Sequence, residues 1–307
     1  MEPKKALIIT PFFRPNIGGA ETFAEDLARA VSNKYFTCIC TIDWKKPMVW
    51  QGLSLFRGLV ALVRLNSAYR KMPKNLKYEK VYALGIIASA VCVLNKVKFN
   101  AVILALYDFK KRHPIFTRII NAAERVFVEG DKGKQDMLKL GIPANKIIKF
   151  QHWCDQSRFQ YVVRNHKRLE VLFIGRPIKI KGKHIIEECE TMTEDIYYEY
   201  VENVPYKELP DYYKWADVVV VPSLYSEGFS RVVIEAASSG CILVTSNRGA
   251  LPELVKGFGI CIEPTAINYC NTLNKLKSNM LKVEGLQVKT AWYAKKHFSA
   301  KNAEVFL

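Results

Sequence analysis

None of the eight cysteines in this 307-residue chain is spaced Cys-x-x-Cys from another, which excludes the common zinc and dithiol motifs. Several stand in apolar runs, as in Thr37-Cys38-Ile39-Cys40 and Gly240-Cys241-Ile242-Leu243-Val244. A cysteine there acts as a small buried hydrophobe, so the chain reads as intracellular with reduced thiols. Long hydrophobic runs are also missing. The longest uncharged stretch, between Lys80 and Lys96, has fifteen residues. A membrane span needs roughly 18–20, so the stretch reads as a buried helix. Ala6–Thr10, closed by Pro11, is too short for a signal-peptide core and reads as a first strand. Acidic residues are scarce, 29 against 46 Lys and Arg, for a net charge of +17. Before residue 150 the balance is 26 basic to 11 acidic, or +15, and after it only +2. That asymmetry suits an anionic partner: a phosphate-bearing ligand, a lipid surface or nucleic acid. An apolar fraction of 50% excludes global disorder, and the length suggests two domains.

What is present is an alternation of apolar strands and amphipathic helices. Strands are expected at Ala6–Thr10, Phe36–Asp43, Ala101–Tyr107 and Arg125–Glu129, with helices at 21–32 and 132–140, the second ended by Gly141 and Pro143. A second series follows at 170–175, 196–201, 217–222, 241–245 and 259–262. Fully apolar strands alternating with helices indicate parallel sheets covered on both faces. Two such series predict an α/β chain with two Rossmann-like domains, joined by the polar, irregular segment Gln151–Arg168.

The chemistry concentrates in the second series. Pro222-Ser223-Leu224-Tyr225-Ser226-Glu227-Gly228-Phe229-Ser230-Arg231-Val232-Val233-Ile234-Glu235-Ala236 follows a buried strand and opens a helix. Glu227 is therefore expected on a strand-to-helix loop at the carboxyl end of the sheet, where ligands bind in open α/β folds. Glu235, inside the helix, needs a partner, because burying a lone carboxylate is costly. A ribose hydroxyl or a nearby basic residue would serve. The amides around Gly228–Arg231 open a helix and could receive phosphate.

Two glutamates with seven residues between them in this context resemble the signature of retaining glycosyltransferases of the GT-B fold, and most of all glycosyltransferase family 4. Further segments are similar in the same order: Phe173-Ile174-Gly175-Arg176 with Lys181-Gly182, Asn203-Val204-Pro205, Asn247–Leu254, Lys139–Pro143, and Gly18-Gly19-Ala20-Glu21. The resemblance implies two Rossmann-like domains with parallel sheets facing across a cleft. Residues 1–155 would form the basic, acceptor-side domain and 156–290 the nucleotide-sugar domain. Residues 291–307 would be a helix crossing back. It implies hexosyl transfer with retention at the anomeric carbon, from a UDP- or GDP-sugar to a hydroxyl acceptor, with no metal or other cofactor. In that reading Arg176 and Lys181 neutralise the donor diphosphate, Glu227 positions the sugar and Glu235 binds ribose. Gly18 and Gly19 bring amides to the phosphates, Val204 and Pro205 line the nucleobase pocket, and Gly228, Phe229, Ser230 and Arg231 complete the donor site.

The chain also departs from the family. Leu104-Ala105-Leu106-Tyr107-Asp108 lacks the histidine that many members carry close to the reacting sugar, and Asp108 or Tyr107 is the candidate to replace it, with His113 in the next loop. Plainer roles stand beside the functional ones: Ser230 as a helix N-cap, Arg231 as a first-turn surface residue, and Tyr206, Tyr212, Tyr213 and Trp215 as packing aromatics. Residues 53–80 carry Arg57, Arg64, Arg70, Lys71, Lys74, Lys77 and Lys80 against one acid, Glu79. Arg57, Arg64 and Lys71 share a helical face, which suits either an anionic membrane surface or solvent. The resulting expectation is a cytoplasmic, peripherally membrane-bound enzyme. Its alternatives are a basic nucleic-acid-binding protein, which leaves the glutamate motif unexplained, and a degenerate relative that binds the donor only.

Overall fold

The computed structural model describes residues 3–13, 18–43, 55–73, 75–104 and 114–307, with the backbone alone for Leu55 and Phe56. Asp108, Tyr107, His113 and Lys74 lie outside the described residues. The chain divides into two units, one of residues 1–150 with 303–307, the other of residues 151–302.

The first unit contains β1 (Lys5–Ile9), α1 (Gly19–Val31), β2 (Phe36–Cys40), α2 (Leu55–Arg70), β3 (Lys80–Leu84), α3 (Gly85–Leu94), β4 (Asn100–Ile103), α4 (Pro114–Asn121), β5 (Arg125–Glu129), α5 (Gly130–Lys139) and β6 (Ile147–Phe150). All strands run parallel in the order β2-β1-β3-β4-β5-β6. β1 and β4 are almost wholly buried because both faces are covered, which is why they read as unbroken apolar runs. The uncharged stretch between Lys80 and Lys96 is not one buried helix. It is β3 followed at once by α3, and the break falls at Gly85, whose φ of +80° ends the strand. The chain returns to this unit at its last residues. Phe306 packs among Phe23, Tyr82, Phe127 and Phe150, stacking on Phe127 at 4.6 Å, and its carbonyl accepts a bond from the Tyr82 hydroxyl.

The second unit contains β7 (Leu169–Ile174), α6 (Lys183–Glu190), β8 (Ile196–Val201), α7 (Leu209–Trp215), β9 (Val218–Val221), α8 (Arg231–Ser238), β10 (Ile242–Ser246), α9 (Leu251–Leu254), β11 (Ile260–Ile262), α10 (Ala266–Lys277) and α11 (Met280–His297). Its sheet is also parallel, ordered β11-β10-β9-β7-β8. Residue 291 falls inside α11, which belongs wholly to this unit; the part of the chain that joins the first unit is 303–307. The segment before β7 is held to the unit by Arg164. Its guanidinium donates to the carbonyls of Tyr213 and Ser239 at 2.7 Å each and of Lys214 at 2.9 Å. It thereby satisfies orphan acceptors at the ends of α7 and α8. Among the described residues no helix is long and apolar enough to cross a membrane.

Candidate active site

β7, β9 and β10 are neighbours, and the loops that leave their carboxyl ends come together. The loop after β7 carries Gly175, Arg176 and Lys181, and the loop after β9 carries Ser223 through Ser230. Two glycines make this meeting feasible. Gly182 has φ +78°, and a Cβ there would lie 2.1 Å from the carbonyl oxygen of Pro222. Gly249, after β10, has φ +62°, and a Cβ there would lie 2.1 Å from the carbonyl oxygen of Glu227. Both positions combine a left-handed backbone with a close approach, which only glycine satisfies. Backbone bonds fasten the loops: Leu224 N to the Ile180 carbonyl at 2.8 Å, and Ala250 N to the Glu227 carbonyl at 2.9 Å.

Glu227 is buried at this junction. Its Oε1 accepts from Lys181 Nζ and from Ser223 Oγ, both at 2.6 Å, and its Oε2 accepts from the Tyr225 hydroxyl at 2.7 Å. Lys181 Nζ also donates to the Tyr225 oxygen at 2.8 Å and sits 5.0 Å from that ring's centre. Two expected site residues, Glu227 and Lys181, are thus in direct contact. Arg176, half-buried, lies on the same loop as Lys181. Ser223 and Tyr225 take part through hydroxyls to which sequence reasoning gave no role.

Glu235 forms a second group. It is 2% exposed. Its Oε1 pairs with Arg231 Nε at 3.3 Å, and its Oε2 accepts from the Tyr213 hydroxyl at 3.2 Å. Burial, reinforced by the Glu235 charge, drives the Tyr213 phenol well above its ordinary range, so it remains a donor. Arg231 donates further to the Trp153 carbonyl at 2.8 Å and to the Tyr206 hydroxyl at 3.2 Å. The first-turn surface reading of Arg231 is therefore corrected: the side chain turns inward, because the carboxylate one turn later needs a cation. Of the two partners considered for Glu235, the basic residue is present in the chain. Ser230 occupies the N-cap of α8 but its side chain makes no capping bond. Phe229 stacks on His152 at 5.2 Å, which fixes the loop from its other side. Val204 is half-buried against the core, and Pro205 is exposed. Tyr213 and Tyr206 are packing aromatics with hydrogen-bonding tips.

In the first unit, Gly18 precedes α1 in an extended conformation, so its φ does not require glycine. A Cβ there would lie 2.5 Å from the Glu21 carboxylate, the tip of a side chain that can turn aside, so no steric demand for glycine follows. Gly19 begins the helix.

Residues 153–279 match the family model described as "Glycosyl transferases group 1". The chain is similar to spore coat protein SA of Bacillus subtilis, 26% identical over 198 residues, which are 58% of this chain and 49% of that protein. It thus spans about half the length of that relative. Among solved structures it resembles sucrose-phosphate synthase from Thermosynechococcus elongatus, with a TM-score of 0.82 at 15% identity, covering 99% of this chain and 97% of that one. It also resembles HepE from Anabaena in complex with UDP-glucose, with a TM-score of 0.76 at 14% identity, covering 97% and 96%. The fold is that of the GT-B glycosyltransferases.

Proposed function

We propose that the protein is a glycosyltransferase that moves a hexosyl group from a nucleotide-diphosphate sugar to a hydroxyl acceptor with retention of configuration. The observation that carries this reading is the buried Glu227–Lys181–Tyr225 group at the carboxyl end of β9 and β7. It stands where open α/β sheets take their ligands. The family match over residues 153–279 and the UDP-glucose bound by HepE support the same reading.

In this reading the donor's diphosphate lies by Arg176 and Lys181. Breaking the bond between the anomeric carbon and the phosphate oxygen develops negative charge on the leaving group. Two fixed cations lower that barrier electrostatically. Guanidinium and ammonium groups then do the work that a divalent ion does elsewhere, so the reaction requires no metal. Lys181 is already held by Glu227 and Tyr225, so its position costs little to fix when the diphosphate arrives. Glu227, with its carboxylate oriented by Ser223 and Tyr225, accepts from the sugar hydroxyls. Contact between Glu235 and the ribose requires Arg231 or Tyr213 to share its carboxylate with the ligand. The acceptor oxygen bonds to the anomeric carbon on the face the leaving group departs, and its proton passes to a phosphate oxygen. Val204, Pro205, Gly228, Phe229 and Ser230 supply amides and walls for the donor. The role of Asp108 is to orient the sugar where the family histidine is missing. We assign the protein to the cytoplasmic face of an anionic membrane through the basic helix α2. That helix exposes Leu59 (59%) and Val63 (61%) beside Arg64.

Incubation with UDP- and GDP-sugars, followed by proton NMR of the product, tests the reading. A released or transferred sugar first seen as the same anomer as the donor, at a rate unchanged by EDTA, is the expected result. Inversion, or consumption only with an added divalent ion, would overturn it. Binding without any consumption would favour the donor-binding relative.

A further inference from the structure

The last long helix of the second unit, α11, is apolar on a face that the core does not use. It turns Val283, Gln287, Thr290 and Ala294 inward, where they are buried. The opposite face carries Leu281, Val288 and Trp292, which are 85%, 51% and 62% exposed. Leu281 is the most exposed large apolar side chain among the described residues. The three stand at i, i+7 and i+11, so at about 100° per residue they fall within an arc of about 40° and form one row about 16 Å long. Gly285 lies in the same arc and is exposed, so no polar side chain interrupts the row. Apolar residues on both faces leave the helix sequence with little amphipathic contrast, which hides the row from a reading of periodicity.

Charge borders the row on both edges. Lys282, Lys289 and Lys296 run along one edge and Lys295 stands on the other, all exposed, against a single acid on this face, Glu284. The Lys296 ammonium lies 5.4 Å from the centre of the Trp292 ring. Single exposed apolar side chains are ordinary on a protein surface, whereas a contiguous row with a polar rim marks an interaction site.

The arrangement selects the partner. Lysine stems lie along apolar surface while their heads reach outward to charge, and an indole favours the boundary between an apolar and a wet phase. A helix with this face, not apolar enough to cross a membrane, lies in the plane of a lipid interface. A second copy of the chain fits poorly: pairing the rows would bring lysines against lysines, and three side chains are few beside the 20–30 residues that each partner of a stable complex contributes, on the order of 800 Å² a side. We propose that this face of α11 docks on an anionic lipid surface, with Leu281, Val288 and Trp292 at the acyl boundary and the lysines at the headgroup phosphates. The contact belongs to the second unit alone, goes beyond the assignment of α2 and does not rest on it.

Fluorescence of the full chain with vesicles of acyl-brominated phosphatidylglycerol at low salt tests it, since bromine quenches an indole only at close range. The native protein should be quenched, and brominated phosphatidylcholine should leave it unquenched. Trp292→Phe keeps an aromatic ring, so it should still sediment with the anionic vesicles while the quenched fraction of the remaining tryptophan fluorescence falls. Lys289→Glu with Lys296→Glu should weaken vesicle binding at least about tenfold. Leu281→Ser with Val288→Ser, which leaves the charge unchanged, should weaken it at least about fivefold. All five side chains are exposed, so melting temperatures should stay as they are, and a loss of binding is then not a loss of fold. The quenching should persist at low salt in Arg64→Glu with Lys71→Glu, which separates this contact from that of α2. The proposal is overturned if the native protein is not quenched, if the quenched fraction is unchanged in Trp292→Phe, if either pair of substitutions on α11 leaves binding as it was, or if the α2 variant loses the quenching. Binding of poly-glutamate without quenching by lipid would also overturn it, and would assign the face to an acidic protein; so would self-association that Leu281→Ser with Val288→Ser abolishes, which would assign it to a second copy.

Discussion

Replacing Arg231 by Ala removes the cation from a carboxylate that is 2% exposed. In the native protein Arg231 Nε holds Glu235 Oε1 at 3.3 Å, and the same guanidinium serves the Trp153 carbonyl and the Tyr206 hydroxyl. Breaking a buried ion pair from one side costs about 3–5 kcal/mol, because the remaining charge stays desolvated. A domain of some 150 residues loses about 2–4 °C of melting temperature per kcal/mol, so the second unit should melt about 6–20 °C lower. The loss should also depend on pH in a definite sense. A lone buried carboxylate has a raised pKa when folded, so its penalty is present above that pKa and fades as the medium is acidified and the group takes up a proton. Calorimetric melts at pH 8 and pH 5 should therefore show a smaller deficit at the lower pH. The double variant Arg231→Met with Glu235→Leu should recover much of the loss, since an apolar pair can replace a buried ionic one at little cost. A single variant melting within about 2 °C of the native protein, or a double variant as unstable as the sum of the two singles, would refute the buried-pair account.

Gly249→Ala should lower the stability of the second unit by at least about 1–3 kcal/mol and weaken donor binding, since the new methyl would strike the Glu227 backbone at a positive-φ position; melts and nucleotide-sugar titrations read both effects. Glu170→Gln should raise the melting temperature at pH 7.5. The native carboxyl, whose pKa is raised by burial, destabilises the fold as pH rises through that pKa, and the advantage should vanish below the ordinary 4.5, where the native side chain is neutral as well. Vesicles containing phosphatidylglycerol should retain the protein at moderate salt and lose it in Arg64→Glu with Lys71→Glu; vesicles of neutral lipid should not retain it, and failure of anionic vesicles to do so removes the membrane assignment.

The sheets were legible in the sequence because strands buried on both faces carry continuous apolar runs. Ile196–Val201 and Arg125–Glu129 fall where the pattern puts them. β3 was hidden because its apolar run continues without a charge into α3, and periodicity does not separate a buried strand from a buried helix; only the conformation of Gly85 reveals the boundary. β6 was hidden for the opposite reason, being four residues long with Lys149 in its middle. In the site, Glu227 and Lys181 were legible through the resemblance of the segments around them to glycosyltransferase motifs, and in the structure they are in contact. The inward turn of Arg231 was available as an i, i+4 pair with Glu235, yet that spacing is as common on exposed helix faces. Which face of α8 is buried settles the matter, and that depends on α11 and the segment around Trp153. Tyr213 acts through a hydroxyl whose partner, Glu235, lies on another element, and Tyr225 joins Glu227 of its own loop to Lys181 of a different one, so no local pattern marks either role. On α2, the regular spacing of Arg57, Arg64 and Lys71 marks a basic face, but it does not say which apolar residues turn to the core, Leu59 and Val63 or Ala61 and Leu65. Leu59 and Val63 are exposed, while Ala61 and Leu65 are the residues that reach the core.

The claim that the second unit holds a nucleotide-diphosphate sugar between Glu227, Arg176 and Lys181 is tested most directly by thermal unfolding with UDP-, GDP- and ADP-sugars. A ligand at 100 times its dissociation constant stabilises the folded state by about 2.7 kcal/mol, a rise of about 5–10 °C for a unit of this size. The account predicts such a rise for donors of one base, lost in Arg176→Ala and in Lys181→Ala. No rise with any of the three bases, or a rise that survives both substitutions, would contradict it.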